Sequence, residues 1–145
     1  MAPAQRQEVR LFVYGTLLSG LPNHGWLRGA PLLGAATTAD AWRLVDMGGY
    51  PALVDAAGAT PVAGELYAGD DALLAHLDVL EDVPDLYRRA SIRLNDGMEA
   101  VAYVLVAGRA PAHAPVIDHG DYRRWLADGH GRTRADDAAD DDHRG

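Results

Sequence analysis

Residues 9–17 have the sequence V-R-L-F-V-Y-G-T-L. The first six are mostly apolar, β-branched or aromatic, which predicts a buried β-strand, and Gly15 then favours a tight turn. A loop with the sequence G-T-L-L-S-G-L-P follows over residues 15–22. Because loops at the ends of rigid core strands often carry binding residues, we expect this loop to belong to a functional site.

The segments around this strand predict further strands and few helices. Apolar and β-branched runs predict strands at residues 32–45, 52–54, 62–67, 89–94 and 100–106. Leucines at helical spacing predict a helix over residues 70–81, and short helices are expected at 23–27 and 122–126. The pattern indicates an α+β fold, in which one or two helices pack on a mixed sheet that is mainly antiparallel or barrel-like.

The chain has 145 residues, which favours a single domain. We place that domain at residues 1–128. Residues 129–145 are predicted to form an acidic, disordered tail, because residues 134–145 contain no large apolar side chain. No apolar stretch approaches the roughly 20 residues that span a bilayer, and the first residues form no apolar leader, so we expect a cytoplasmic protein without membrane contact.

The formal net charge of −8 at pH 7 argues against a nucleic-acid partner. Neutralising phosphates requires clustered basic side chains, and the arginines at 88–89 and 123–124 are pairs rather than a stripe. We therefore expect a small molecule as the partner. Nothing in the sequence indicates an oligomeric state.

Missing residue types exclude several chemistries. The chain contains no cysteine, and all 13 basic residues are arginine, so thiol nucleophiles, zinc–cysteine sites and lysine Schiff bases are excluded. Its two serines, Ser19 and Ser91, lie in no G-x-S-x-G motif. On the predicted helix His76, Asp78 and Glu81 point in different directions, so we expect no metal site there.

One acidic residue lies on the apolar face of the predicted helix. Glu81 falls on the same stripe as the leucines at positions 73, 74, 77 and 80. Burial and the negative end of the helix dipole both raise the pKa of such a carboxyl group, which suits general acid–base catalysis. The alternative is that Glu81 turns outward and forms an ion pair with Arg88 or Arg89.

Five motifs occur in a fixed order between about residues 9 and 126. They are Tyr14-Gly15-Thr16-Leu17, Gly49-Tyr50-Pro51-Ala52, Gly64-Glu65-Leu66-Tyr67, Leu77-Asp78-x-x-Glu81 with Tyr87-x-Arg89, and Gly120-Asp121-Tyr122-Arg123. Together they resemble the γ-glutamylcyclotransferase family, including its AIG2-like and BtrG-like branches. The resemblance implies a small mixed β-barrel flanked by a few helices, and Glu81 as the catalytic acid/base. Asp82 stands where many relatives have glycine, which leaves the geometry of that loop open.

The resemblance also implies a reaction without a cofactor. The α-amine of a γ-glutamyl amide attacks the side-chain carbonyl of the same molecule, releasing 5-oxoproline and a free amine. The nucleophile belongs to the substrate, which fits a chain without cysteine or lysine. Glu81 would transfer the proton, and the N–H groups of Gly15, Thr16 and Leu17 would bind the glutamyl carboxylate or the developing oxyanion.

Three tyrosines are further candidates for substrate binding. Tyr14 lies in the first motif, and Tyr50 and Tyr87 lie in later ones. A tyrosine at the end of a core strand also commonly packs against its neighbours with its hydroxyl already hydrogen-bonded. Both roles remain open for each of the three.

Arg89 and Asp46 are charged candidates with equally plain alternatives. Arg89 could bind a carboxylate of the substrate, of Glu81 or of Asp85, or it could be an exposed strand arginine. Asp46 could bind the substrate ammonium, or it could cap its own turn beside Gly48.

Two other classes of function remain open. The first is a non-catalytic protein that holds a small ligand in the same pocket, and the second is an interaction module, which would expose an apolar patch. Within the enzyme hypothesis, the leaving amine could come from an amino acid, from a γ-glutamylamine, or from a γ-glutamyl-protected biosynthetic intermediate of the aminoglycoside type.

Overall fold

Five strands and three short helices make up the part of the chain, residues 8–130, that the computed structural model describes. The strands are β1 (Glu8–Val13), β2 (Leu32–Asp46), β3 (Pro51–Asp70), β4 (Tyr87–Arg93) and β5 (Glu99–Leu105). The helices are a 3₁₀ turn (His24–Leu27), α1 (Asp71–Leu80) and α2 (Tyr122–Ala127). No helix within these residues is long and apolar enough to cross a membrane.

The strands form one mixed sheet in the order β2-β3-β1-β5-β4. Strand β1 lies at its centre, antiparallel to β3 and parallel to β5. The two outer strands meet at a bridge between Thr38 and Leu94, where the Asn95 N–H also donates to the Thr37 carbonyl oxygen at 2.9 Å. The sheet therefore closes into a small barrel, and the predicted α+β class with a mixed barrel is confirmed.

Strand β3 corrects the sequence prediction of two separate strands at 52–54 and 62–67. It runs without interruption from Pro51 to Asp70 because β2 pairs along its length, from the Asp46–Pro51 pair to the Leu32–Tyr67 pair. Several register shifts let this long hairpin bend. The small residues between the two predicted strands resemble a loop in composition, but they remain extended and pair with β2 at Ala57 and Pro61.

The two faces of β1 pack into different parts of the core. Leu11 and Val13 contact the cluster that includes the leucines of α1, whereas Phe12 and Tyr14 contact the cluster formed by the other strands and α2. Fully burying one such side chain contributes about 1.5–3 kcal/mol relative to leaving it exposed. The end of β1 is therefore rigidly held between two packed layers, and the loop that follows it starts from a fixed point.

Helix α1 matches its prediction. The Asp70 side chain accepts a hydrogen bond from the Leu73 N–H at 2.9 Å and caps the N-terminus, while Leu73, Leu74 and Leu77 are buried. The Glu81 N–H donates to the Leu77 carbonyl oxygen at 2.9 Å and closes the last turn. The stripe of leucines thus positions Glu81 at the edge of the core.

The predicted disordered tail lies mostly outside the described residues. Gly129 and His130 are described, and they close α2 with hydrogen bonds to the carbonyl oxygens of Leu126 and Trp125. The His130 ring also stacks on Trp125, with ring centroids 3.9 Å apart. The described residues therefore extend two positions beyond the predicted boundary at 128, and residues 131–145 of the predicted tail lie outside them.

Candidate functional site

A cavity of about 560 Å³ lies between the loop after β1, the turn before β3 and the end of α1. Because β1 is central in the sheet and α1 packs against its outer face, these three segments converge although they are far apart in sequence. The structure places Glu81 in the cavity wall together with six of the seven predicted substrate-binding residues: Tyr14, Gly15, Thr16, Leu17, Tyr50 and Tyr87.

Glu81 is a mostly buried carboxyl group without a partner. No hydrogen bond or ion pair to its side chain is found within residues 8–130, and burial raises its pKa from 4.5 to about 7. The alternative ion pairs are not formed, because Arg88 contacts Asp55 and Arg89 contacts Asp78. A carboxyl group with this pKa exchanges protons readily near neutrality.

The residue after Glu81 shows how the helix ends. Asp82 has φ 55°, in the left-handed region that glycine adopts most easily and aspartate tolerates better than most residues. The chain therefore turns at this point in a conformation suited to glycine, although the residue is aspartate. This settles the loop geometry that the sequence left open.

The loop from Gly15 to Leu17 presents backbone donors at the cavity. The Leu18 N–H donates to the Gly15 carbonyl oxygen at 2.9 Å, which forms a turn, but the N–H groups of Gly15, Thr16 and Leu17 have no acceptor within residues 8–130. Successive free N–H groups in a turn are suited to bind an anion. A side chain at Gly15 would place its Cβ 2.6 Å from Pro51, so glycine is needed there for close packing.

Residues that follow the loop hold its shape. Asn23 occupies the N-cap position of the 3₁₀ turn without a side-chain capping bond, and its amide donates to the Thr16 hydroxyl at 2.9 Å. The Asn23 N–H donates to the Thr16 carbonyl oxygen at 3.0 Å. The Nδ1 atom of His24 lies 2.9 Å from the Leu17 carbonyl oxygen. These contacts turn the carbonyl groups of Thr16 and Leu17 toward the protein.

Tyr14 is a wall of the cavity with its hydroxyl already bonded. The hydroxyl donates to the Tyr103 carbonyl oxygen at 2.7 Å and accepts from the Leu53 N–H at 3.2 Å. Burial, and secondarily the nearby Glu81, raises the pKa of Tyr14 far above its ordinary value, so the group stays neutral. The Tyr14 hydroxyl therefore holds the packing of the core, and only the Tyr14 ring is available to contact a substrate.

Tyr87 and Tyr50 differ in exposure. The Tyr87 hydroxyl is buried and donates to the Pro51 carbonyl oxygen at 3.0 Å, which ties the first residue of β4 to the first residue of β3. Tyr50 is 37% exposed, and its hydroxyl has no partner within the described part of the chain. Tyr50 is therefore the one of the two whose hydroxyl is available to a ligand.

Arg89 is the predicted substrate-binding residue that does not line the cavity. Its guanidinium group donates two hydrogen bonds to Asp78, at 3.0 and 2.6 Å. The same carboxylate accepts from the Tyr103 hydroxyl at 2.8 Å. The Arg89 hydrogen bonds hold the pKa of Asp78 below its ordinary value, against the opposing effect of partial burial. The partner of Arg89 is thus none of the carboxylates considered from sequence.

Asp46 caps its own turn and is not part of the cavity wall. One carboxylate oxygen accepts from the Gly48 N–H at 2.8 Å, and the other accepts from the Trp125 indole at 2.9 Å. The structure therefore supports the structural alternative for this residue. The contact also joins the turn before β3 to helix α2.

No group of three or more His, Asp or Glu side chains suited to hold a metal ion is found between residues 8 and 130. His76 stacks on Trp26, with ring centroids 4.7 Å apart, and Asp78 is bound to Arg89. The cavity wall also contains no arginine or histidine among the described residues, so its single charged side chain is Glu81.

A second glutamate near the loop was not assigned a role from sequence. Glu65 on β3 accepts from the N–H and hydroxyl of Ser19, both at 2.9 Å, from the Tyr67 hydroxyl at 2.9 Å and from Arg123 at 3.0 Å. Partial burial would raise its pKa, but these donors outweigh burial, and the net pKa lies below the ordinary value. The sequence signal for Glu65 was an acidic residue within a predicted strand whose other residues are apolar or small.

Comparisons with known proteins identify the family of this chain. Residues 11–124 match the family described as gamma-glutamyl cyclotransferase, AIG2-like. A Vibrio cholerae protein with a provisional γ-glutamylcyclotransferase name is 41% identical over 77% of this chain and 93% of its own length. The gamma-glutamylaminecyclotransferase of Bos taurus is 35% identical, with 77% and 74% covered. The crystal structure of a Mus musculus AIG2-like protein superimposes with a TM-score of 0.70 at 30% identity, covering 80% of this chain and 88% of that one. The chain therefore belongs to the AIG2-like γ-glutamyl cyclotransferase family.

Proposed function

We propose that this protein cleaves a γ-glutamyl amide by intramolecular attack of the glutamyl α-amine, releasing 5-oxoproline and a free amine. The observation that carries the proposal is the pairing within one cavity of an unpartnered, desolvated carboxyl group, Glu81, with the free N–H groups of Gly15, Thr16 and Leu17. One side of the cavity is thus suited to transfer a proton and the other to hold an anion.

The reaction needs little from the protein because the substrate carries its own nucleophile. The α-nitrogen forms a bond to the γ-carbonyl carbon and closes a five-membered ring, while the bond from that carbon to the leaving nitrogen breaks. A well-oriented intramolecular attack can supply roughly 7–11 kcal/mol in effective-molarity terms. A cavity that folds the substrate, moves one proton and stabilises one oxyanion is sufficient.

Glu81 is the proposed proton carrier. The free amine form of the substrate attacks. Glu81 as a carboxylate accepts the proton that the α-nitrogen loses as the ring closes, and as an acid gives that proton to the leaving nitrogen. The amine thus becomes the lactam N–H, and the leaving N–H becomes NH₂. Both forms must be accessible in one cycle, and a pKa of about 7 provides them near neutral pH. The Gly15–Leu17 N–H groups would hold the α-carboxylate or the oxyanion.

The composition of the wall favours a leaving amine without a carboxylate. No cationic side chain among residues 8–130 lines the cavity, whereas Tyr50, Leu80 and Leu86 offer aromatic and apolar surface. The carboxylate of a leaving amino acid would lie in the same cavity as Glu81 without a cationic side chain to pair with. We therefore propose γ-glutamylamines as substrates, in line with the name of the Bos taurus relative. An aminoglycoside-type intermediate, which also lacks a carboxylate, is the alternative.

The test is a set of γ-glutamyl amides made from an alkylamine, a diamine, an aminoglycoside and an amino acid, with release of 5-oxoproline measured by mass spectrometry. We expect turnover, with the first three preferred over the fourth. In H₂¹⁸O, the 5-oxoproline should contain no ¹⁸O from the solvent, because no water enters the product.

The matched control is the same amide with its α-amine acetylated, which cannot cyclise. We expect no cleavage of this compound. Cleavage that releases an acylated glutamate would show attack by water and would contradict the proposal. Binding without turnover of any amide would favour the non-catalytic ligand-binding alternative.

A further inference from the structure

Four residues, named here the Glu65 cluster, lie outside the cavity wall: Ser19 in the loop, and Glu65, Tyr67 and Arg123 beside it. The Glu65 side chain is 16% exposed, and its two oxygens receive four donors from the other three residues. The cluster joins three elements that are distant in sequence, because Glu65 is on β3, Ser19 is in the loop and Arg123 is on α2.

Ser19 is held at every polar atom. Its N–H and hydroxyl donate to the two oxygens of Glu65, and its carbonyl oxygen and hydroxyl oxygen accept from Arg123 at 2.8 and 2.9 Å. Hydrogen bonds to charged groups are about twice as strong as neutral ones, and two-point contacts fix orientation as well as distance. Ser19 is two residues from Leu17, so its position constrains the N–H groups of residues 15–17, which line the cavity.

The other contacts of the loop do not replace this attachment. The bonds from Leu18, Leu21 and Asn23 join the loop to itself or to the 3₁₀ turn that follows it. They preserve its internal shape but leave its placement relative to the barrel to buried leucines and to the Glu65 cluster. A hydrophobic contact is non-directional, whereas the charged contacts define a single orientation.

We propose that Glu65 and Arg123 are positioning residues, which fix the anion-binding N–H groups of residues 15–17 at the distance from Glu81 that the substrate requires. This inference rests on the proposed function. The anion at these N–H groups in this inference is the α-carboxylate, so loss of the cluster should weaken binding of the γ-glutamyl part and leave the proton transfer at Glu81 intact. Loss of Glu65 or Arg123 should therefore raise KM and spare kcat.

The first test compares three variants that remove different numbers of these contacts. Glu65→Gln disturbs all four donors, Arg123→Gln removes three bonds, and Ser19→Ala removes only those of the hydroxyl. We expect KM for the best γ-glutamyl amide to rise about tenfold in Glu65→Gln, and less in the other two in that order, with kcat within about threefold. Asp40→Asn, which breaks an exposed pair with Arg93, is the matched control and should leave KM unchanged.

The second test measures amide hydrogen exchange at Ser19 without substrate, so it is independent of turnover. We expect exchange at this position to be about tenfold faster in Glu65→Gln than in the wild type or Asp40→Asn, with α1 unaffected. If Glu65→Gln does not fold, the same exchange is measured in Arg123→Gln, because the wild-type Arg123 side chain is 44% exposed.

The outcomes separate this inference from the proposed function. A raised KM with faster exchange at Ser19 supports it. A lowered kcat with unchanged KM would show that the cluster acts in the chemistry, and unchanged exchange in both Glu65→Gln and Arg123→Gln would show that it does not hold the loop; either result overturns the inference. Wild-type protein that releases no 5-oxoproline would overturn the proposed function instead.

Discussion

Glu65 contacts the loop after β1 from outside the cavity wall, whereas Glu81 lines the cavity with that loop, and their carboxyl groups have opposite environments. Glu65 accepts hydrogen bonds from four donors, and its pKa lies below the ordinary value of 4.5. Glu81 has no donor within the described residues, and burial raises its pKa from the same starting value to about 7. The first is therefore a fixed negative charge, and the second exchanges its proton near neutrality.

The difference arises from neighbours rather than from depth alone. Burial acts to raise the pKa of both groups, but only Glu65 receives compensating hydrogen bonds and a nearby arginine. A carboxylate that is saturated with donors stabilises structure, while a desolvated one without them is suited to catalysis. Of the two glutamates near the loop, Glu65 is therefore assigned to the binding geometry and Glu81 to proton transfer.

The largest expected effect separates the two glutamates by activity. Replacing Glu81 with Gln should lower kcat by about a thousandfold, because a positioned acid–base group contributes roughly 10² to 10⁴ in rate. Glu65→Gln should keep kcat near the wild-type value. The measurement is 5-oxoproline release at saturating substrate, with circular dichroism to check folding. Equal losses of kcat in Glu81→Gln and Glu65→Gln would contradict the assignment of different roles to the two glutamates.

The next effect concerns stability and pH. The raised pKa of Glu81 means that the folded state holds this proton more tightly than the unfolded state, so its contribution to stability falls as pH rises from 4.5 to about 7. Glu81→Gln removes that cost and should be more stable than the wild type at pH 8, by about 2 kcal/mol, and no more stable at pH 4. Urea unfolding at the two pH values measures this, and a variant that is less stable at pH 8 would contradict it.

Glu65 should show the opposite dependence. Its lowered pKa means that the stabilisation it provides is complete above 4.5 and is lost as pH falls through the lower folded-state value. We expect Glu65→Gln to be less stable than the wild type at pH 7 by about 1 kcal/mol, with the difference shrinking toward pH 3. The same urea experiments provide the measurement, and a constant difference across this range would show that the Glu65 charge is not involved.

The smallest effect is expected at Arg89. Its guanidinium group is 40% exposed, contacts Asp78 and does not line the cavity. Arg89→Gln should change the free energy of unfolding by less than about 1 kcal/mol and KM by less than about twofold. A large rise in KM would restore the substrate contact that the sequence suggested for this residue.

The fold and the position of Glu81 could be predicted from the sequence because they depend on local patterns. The leucine period placed Glu81 on the buried stripe of α1, and the apolar run before Gly15 placed the loop at the end of a core strand. The expected break within β3 was wrong because residues 55–61 resemble a loop in composition, and only pairing with β2 shows that they continue the strand.

The role of Glu65 could not be predicted because it depends on contacts between residues that are distant in the sequence. Ser19 is 46 positions from Glu65, and Arg123 is 58 positions from it. No periodicity links residues at such separations, so the motifs containing Glu65 and Arg123 could be quoted without assigning them a role. The partner of Arg89 was not predicted for a related reason, since Asp78 is 11 positions away on a different element.

The protonation of Glu81 tests the account most directly. With ¹³C-labelled glutamate, the side-chain carboxyl signal of Glu81 can be assigned by its absence in Glu81→Gln and followed by NMR from pH 3 to pH 9. We predict a pKa of about 7 for this signal. A pKa near the ordinary 4.5 would show that Glu81 is solvated or paired, and would contradict its role as the proton carrier.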